Sequence, residues 1–271
     1  MDRGGGTAEA RAIQLLADGI RLTAVRMVAT HGFGYLGQVL SSAELFACLF
    51  SGPYRPEQDK LVCSPGHYII GAFAAAAQVG LLDRDELATY GCDGSRLEAV
   101  GTERSPVVDL TCGSLGQGLS GGAGFALSHQ LRGEPEARVF VIVSDGELEE
   151  GQTWEAAMFA AHRNLTNLVV LLDANNSQVD GPVSSITTID PIVAKWESFG
   201  WIAFDVDGHD PEALSRAVGA AVAAARPSVV IARTSTAHGL ACLPPGADGH
   251  FIKISPELVT AAVAELEARL A

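Results

Sequence analysis

Two short segments carry the side chains best suited to hold a charged ligand: Ser144-Asp145-Gly146 and Asp173-Ala174-Asn175-Asn176-Ser177. Each closes a continuous apolar run, RVFVIVS at 138–144 and NLVVLLD at 167–173, and Asp145 and Asn175 stand 30 positions apart. A carboxylate, an amide oxygen and a nearby backbone carbonyl are hard oxygen donors. They suit Mg²⁺, which keeps octahedral geometry by taking its remaining ligands from phosphates and water. Gly146 removes a Cβ where a diphosphate would have to approach. Asp-Gly and Asn-Asn after strands are also ordinary turn sequences. Their pairing at this spacing, on successive strand ends, favours the metal.

Ligands of open parallel sheets sit at the carboxyl ends of the strands, so these donors need such a sheet beneath them. The texture predicts one. Helices are expected at 8–29, from Ser41 through Phe50, at 68–79, and from Gly118 to about Leu131; Ser41-Ser42-Ala43-Glu44 reads as a capping box. The stretches 51–66 and 91–118 read as loop. Beyond them strands at 138–144, 167–173, 202–206 and 228–233 alternate with helices at 152–162, 191–199 and 211–225. That alternation implies right-handed crossovers and an α/β fold: a parallel sheet with helices on both faces. With no internal repeat or linker, the 271 residues are expected to form a single domain, 1–8 being a flexible tail.

The bulk properties narrow the function. Hydrophobic residues make up 48% and charged residues 18%, which suits a globular chain with a deep core. A net charge of −14 argues against non-specific nucleic-acid binding or an acidic membrane surface. It does not exclude a diphosphate, provided that a metal ion and oriented backbone N–H groups supply the local positive field. No apolar run approaches the roughly 20 residues that a membrane span needs. The five cysteines are scattered with no C-x-x-C pair, which points to reduced, largely buried thiols. The polar, glycine-rich N-terminus is unlike a signal peptide. A cytoplasmic protein is expected.

The segment SDGELEEGQTWEAAMFAAHRNLTNLVVLLDANNSQVDG resembles the thiamine-diphosphate fingerprint in its transketolase form. Further blocks follow the family's order: LSSAELFACLF, SPGHYIIG, VVDLTCGSLGQGLSGGAGFAL, DPIVAKWESFGW and VDGHDPEAL. The resemblance implies a thiamine diphosphate-binding fold, with Asp145 and Asn175 holding Mg²⁺ through side chains and Ser177 through its carbonyl. It implies Gly146 and Glu147 on the cofactor side, and Gly113, Ser114 and Leu115 beside the aminopyrimidine. His67 and His250 would face both cofactor and reaction centre, as catalytic residues. Glu147, Glu149 and Glu150 also fit a solvated helix start, while Glu150 resembles a carboxylate at the family's subunit interface. His129, His162 and His209 match no catalytic role; His238 follows the last strand without an assignment.

The activity implied is transfer of a two-carbon ketol unit from a ketose (phosphate) donor to an aldehyde or other acceptor. The glutamate that activates the aminopyrimidine normally lies on a following domain, and the sequence stops at Ala271. A separate pyrimidine-domain subunit, in a heterotetramer of two copies each, is therefore expected. Two substrate-side histidines of the family are replaced, one by Tyr35 in FGYLGQ and one by Thr102 in Gly101-Thr102-Glu103. That departure points to a changed donor or acceptor in secondary metabolism. The alternatives are a thiamine-dependent 2-oxo-acid decarboxylase or dehydrogenase subunit, and a non-catalytic regulatory subunit of the same fold.

Overall fold

The structure is a computed structural model, described here over residues 7–247 and 249–271. Its elements run α1 (Ala8–Ala29), β1 (Phe33–Gly34), α2 (Leu36–Phe50), β2 (Lys60–Pro65), α3 (Ile69–Gln78), β3 (Leu110–Cys112), α4 (Gln117–Arg132) and β4 (Val139–Ser144). Then come α5 (Gly151–His162), β5 (Leu168–Ala174), α6 (Val183–Ile186), α7 (Ile192–Ser198), β6 (Ile202–Asp207), α8 (Pro211–Val222), β7 (Ser228–Arg233), β8 (Ile252–Lys253) and α9 (Pro256–Leu270). Short 3₁₀ turns at Gly66–Tyr68, Arg84–Thr89 and Gly146–Glu149 complete them.

Six strands form one sheet in the order β3-β2-β4-β5-β7-β6, every neighbouring pair parallel. β4 and β5 lie at its centre and every one of their residues is buried, which is why both read as unbroken apolar runs. Alternate side chains feed two cores. Phe140 and Ile142 face the core built with α1, α2, α3, α8 and α9; Val139, Val141 and Val143 face the one built with α4, α5 and α7. α1 and α8 start where the sequence predicts helices, and α9 is a further helix outside the expected elements. Thr7 caps α1 by accepting from Ala10 N at 3.1 Å, Asp210 caps α8, and Ser255 caps α9.

Four expectations change. α2 begins at Leu36, ahead of the expected Ser41 cap, so Ser41 and Ser42 lie inside a fully buried helix and bond back to the Gln38 carbonyl. Glu44 therefore caps nothing: Arg21 Nη2 donates to it at 2.6 Å. The expected loops at 51–66 and 91–118 contain strands β2 and β3, β2 being short and next to Pro65 and β3 only three residues long. Of the expected tail, residues 1–6 lie outside the described residues, while Thr7 and Ala8 are the cap and first residue of α1. The five thiols are unpaired, but only Cys48 and Cys63 are buried and Cys92 is exposed. Among the described residues, no helix is long and apolar enough to cross a membrane.

Candidate active site

The carboxyl ends of β2, β3, β4, β5 and β7 bring the site together. His67 follows β2, Gly113 follows β3, Asp145 follows β4, Asn175 follows β5 and Thr234 follows β7. Asp145 is buried; its Oδ1 accepts from Gly146 N at 2.9 Å and its Oδ2 from Asn176 N at 2.5 Å. Thus the β4 end is tied directly to the loop after β5. Burial, and then the field of the nearby Asp173 carboxylate, push the Asp145 carboxyl up to about 7, against the two N–H donors that pull it down. Among the described residues no Lys or Arg forms an ion pair with it. It is a buried carboxylate in want of a cation.

Asn175 is turned by a network that sequence reasoning missed. Its Nδ2 donates to Asp173 Oδ2 (2.9 Å), Tyr68 OH (3.0 Å) and Ser41 Oγ (3.2 Å). Its Oδ1 is left towards Ser177, whose N–H donates to it at 2.9 Å. The fully buried Asp173 also accepts from Tyr68 OH at 2.8 Å, from Ser41 Oγ at 2.5 Å and from Thr234 Oγ1. The available signal was a carboxylate ending an otherwise apolar strand run, because a buried Asp must collect donors. Asp145, Asn175 and Ser177 are thus brought together on one loop pair. A Cβ on Gly146 would press on the Gln178 Cβ at 3.3 Å, a crowding that glycine avoids.

Glu147 is not the solvated helix start that its neighbours Glu149 and Glu150 supply. It is fully buried, accepting from Ser64 Oγ and, at 2.7 Å, from Gly116 N. Burial pushes its carboxyl up to about 7 despite those donors. The contact binds the Gly113–Ser114–Leu115 loop to the end of β2, one residue before Pro65-Gly66-His67. Gly116 permits this with φ +83°, and a Cβ there would strike the Glu150 side chain at 2.8 Å. Gly113 and Ser114 themselves stay exposed. Thr102 lines a cavity of about 500 Å³ together with Thr111 and Gly113.

His67 and His250 meet, their ring centroids 5.0 Å apart, and Tyr35 packs on both at 5.1 and 5.8 Å. Burial, followed by the neighbouring His250 imidazole, pushes His67 down to about 3, so it is a neutral donor–acceptor at ordinary pH. Gln38 Nε2 lies 2.9 Å from His250 Nδ1.

A second cluster gathers Glu44, His209 and His238, whose possible ligand atoms lie within 4.8 Å of one another. It reads as a buried ionic cluster. Ser235 N–H donates to His209 Nε2 at 2.9 Å, which leaves the neutral ring's proton on Nδ1, facing Glu44 Oε2 at 3.2 Å. A metal would need that nitrogen bare, and Arg21 already neutralises the carboxylate. His238 stacks on His209 at 3.6 Å.

The family described as transketolase, thiamine diphosphate binding domain, matches residues 12–251. The chain belongs to the transketolase family. It is 36% identical over 265 residues to the 6-deoxy-6-sulfo-D-fructose transketolase subunit SqwG of Clostridium sp. strain MSTE9, covering 94% of this chain and 96% of that one. It is 32% identical over 238 residues to human transketolase, covering 85% of this chain but 38% of the human protein. The fold matches the crystal structure of transketolase from Campylobacter jejuni with a TM-score of 0.86 at 23% identity, over 95% of this chain and 43% of that one. The chain therefore spans well under half of those two transketolases. As a transketolase-family thiamine diphosphate-binding domain, it has a donor set that fits its group. Asp145 and Asn175 offer hard oxygens, the buried charge lacks a cation, and Gly146 keeps a Cβ out of the approach.

Proposed function

We propose that this chain is the cofactor-binding subunit of a thiamine-diphosphate- and Mg²⁺-dependent enzyme that moves a two-carbon ketol unit from a ketose donor to an aldehyde or other acceptor. The observation that carries this reading is the convergence of Asp145, Asn175 and Ser177 at two adjacent strand ends, with the buried Asp145 carboxylate lacking an ion-pair partner among the described residues. Asp145, the Asn175 Oδ1 and the Ser177 carbonyl would hold Mg²⁺, and the Gly146 face would take the diphosphate. The 113–115 loop, fixed from beneath by Glu147, would lie along the aminopyrimidine. When bound, thiamine diphosphate supplies the nucleophilic carbon and electron sink for carbon–carbon cleavage. The neutral His67, with His250 beside it, would hydrogen-bond the donor and acceptor oxygens and carry protons between them.

Activity is proposed to require a separate subunit that brings the pyrimidine-activating glutamate, in a heterotetramer of two copies each. The near-complete mutual coverage with a relative named as a transketolase subunit supports that arrangement. Tyr35 and Thr102, at positions where the resemblance expects histidines, support a substrate set of secondary metabolism in the cytoplasm.

The test is calorimetric titration of thiamine diphosphate with Mg²⁺ into the chain, alone and with its co-purified partner, against Asp145→Ala. Tight binding by the pair that the variant loses supports the reading. Failure to bind under every combination would leave a cofactor-free subunit of the same fold.

A further inference from the structure

Beside the two imidazoles runs an array of aromatic rings that reaches the surface. Tyr35 contacts Phe251 at 5.3 Å between centroids, and Phe251 contacts Phe33 at 5.5 Å. Phe33 is 51% exposed. β1 and β8 pair antiparallel with Phe33 opposite Lys253 and Gly34 opposite Ile252. Directly opposed residues share a face, so Lys253 stands next to Phe33 on the exposed side while Gly34 and Ile252 are buried. Among the described residues the Lys253 ammonium enters no ion pair.

The inner end of the array is polar. Gln38 is 1% exposed, and its Oε1 has no hydrogen-bond partner among the described residues while its Nε2 meets His250. The buried Tyr90 hydroxyl is likewise unpartnered. His67 is neutral, because burial and then the neighbouring His250 imidazole both push its pKa down. A buried polar atom left unmatched awaits a ligand or water. Tyr35, Gln38, His67 and His250 meet there, and none of them is a lysine or arginine that would pair with a phosphate. An anion at the outer end would find Lys253.

We propose that Phe33, Tyr35 and Phe251, with Lys253 at their rim, form the acceptor-binding wall, and that it takes an aldehyde borne on an aromatic ring with a distal anionic group. The assignment rests on the ketol-transfer reading above. Offset or edge contacts of the acceptor ring with the wall orient it, while its aldehyde oxygen faces Gln38, His67 and His250. In the transfer the donor's bond between its carbonyl carbon and C3 breaks, and that carbonyl carbon bonds to the acceptor's aldehyde carbon. The acceptor oxygen gains the proton that the donor's C3 hydroxyl loses. Atoms and electrons balance without an oxidant.

The assembled enzyme is given erythrulose, xylulose 5-phosphate or fructose 6-phosphate as donor, and 4-formylbenzoate, benzaldehyde or glyceraldehyde 3-phosphate as acceptor. The expected order of kcat/KM is 4-formylbenzoate, then benzaldehyde, then glyceraldehyde 3-phosphate, about tenfold apart at each step. Lys253→Ala should remove the preference for 4-formylbenzoate over benzaldehyde, and Phe33→Ala should raise KM for both aromatic acceptors about tenfold with kcat little changed. Donor consumption with glyceraldehyde 3-phosphate as the preferred acceptor overturns the wall and leaves ketol transfer standing. No consumption of any donor by a complex that binds thiamine diphosphate overturns both.

Discussion

The side-chain amide of Asn175 is oriented by Asp173, whose Oδ2 accepts from Asn175 Nδ2 at 2.9 Å and so leaves Oδ1 on the side of the proposed metal. The orienting carboxylate is itself fixed by Ser41, Tyr68 and Thr234, from three other parts of the chain.

Asp173→Ala frees the amide to turn and strands these donors. Groups that orient a metal ligand typically change metal affinity by about 10- to 100-fold, and a buried donor left unpaired costs about 1–3 kcal/mol. We expect a loss of that order in Mg²⁺-dependent cofactor affinity, read by calorimetry, together with a lowered unfolding midpoint. Unchanged affinity in a folded variant would show that Asn175 is held by other means.

The metal-free protein should lose stability as pH rises across the neutral range. Asp145 and Glu147 have carboxyls raised to about 7 in the folded state, so the unfolded chain releases those protons first. Stability is then highest below pH 4 for these groups and falls as pH climbs through 7. The melting temperature of Asp145→Asn relative to wild type should rise between pH 5 and 8 without metal. Saturating Mg²⁺ and thiamine diphosphate should reverse that difference. A pH-independent difference would contradict the buried-charge account.

Arg21 is the counter-charge of a carboxylate deep between α1 and α2. Burial alone would raise Glu44, yet the His209 hydrogen bond and the Arg21 charge bring it down to about 2. Its folded value lies below its unfolded one, so this stabilisation is present above pH 4.5 and is lost as pH falls towards 2. Arg21→Met leaves the buried Glu44 with the His209 hydrogen bond but without its guanidinium counter-charge, at a cost of about 3–5 kcal/mol. Denaturant unfolding at pH 7 checks this, and Arg21→Met with Glu44→Leu should recover most of the loss. An exposed-pair cost below about 1 kcal/mol would refute it.

His67 should remain neutral well below the ordinary histidine range. Burial, then His250, depress it to about 3. Its imidazole resonances, followed by NMR, should not move between pH 7.5 and 5. A protonation midpoint above 5 would mean that the ring is wetter than its packing against Tyr35 and His250 implies.

The sequence determined the central sheet and the placement of the proposed metal pair. RVFVIVS and NLVVLLD can only be strands buried on both faces, and strand, helix and strand over that length is a right-handed crossover that sets Asp145 and Asn175 side by side. Local chemistry also fixed the starts of α1 and α8, capped by Thr7 and Asp210, because a cap needs only neighbours in the chain. What depends on distant partners was not legible. β2 hid in a Pro- and Gly-bearing stretch because its six residues are held by ladder bonds to β3 and β4, not by their own pattern. Ser41 read as a helix cap, and only packing showed it inside α2 with its hydroxyl on Asp173, 132 positions away. Glu147 read either as a cofactor-side residue or as part of a solvated helix start; folding excluded the second by burying it against Gly116 and Ser64. The aromatic array from Phe33 to His67 likewise exists only once the antiparallel pairing of β1 with β8 brings Phe251 and Lys253 across from the start of the chain. Chain-local physics chose most of the elements and placed Asp145 and Asn175 on successive strand ends; long-range hydrogen bonding and burial decided which side chains orient them.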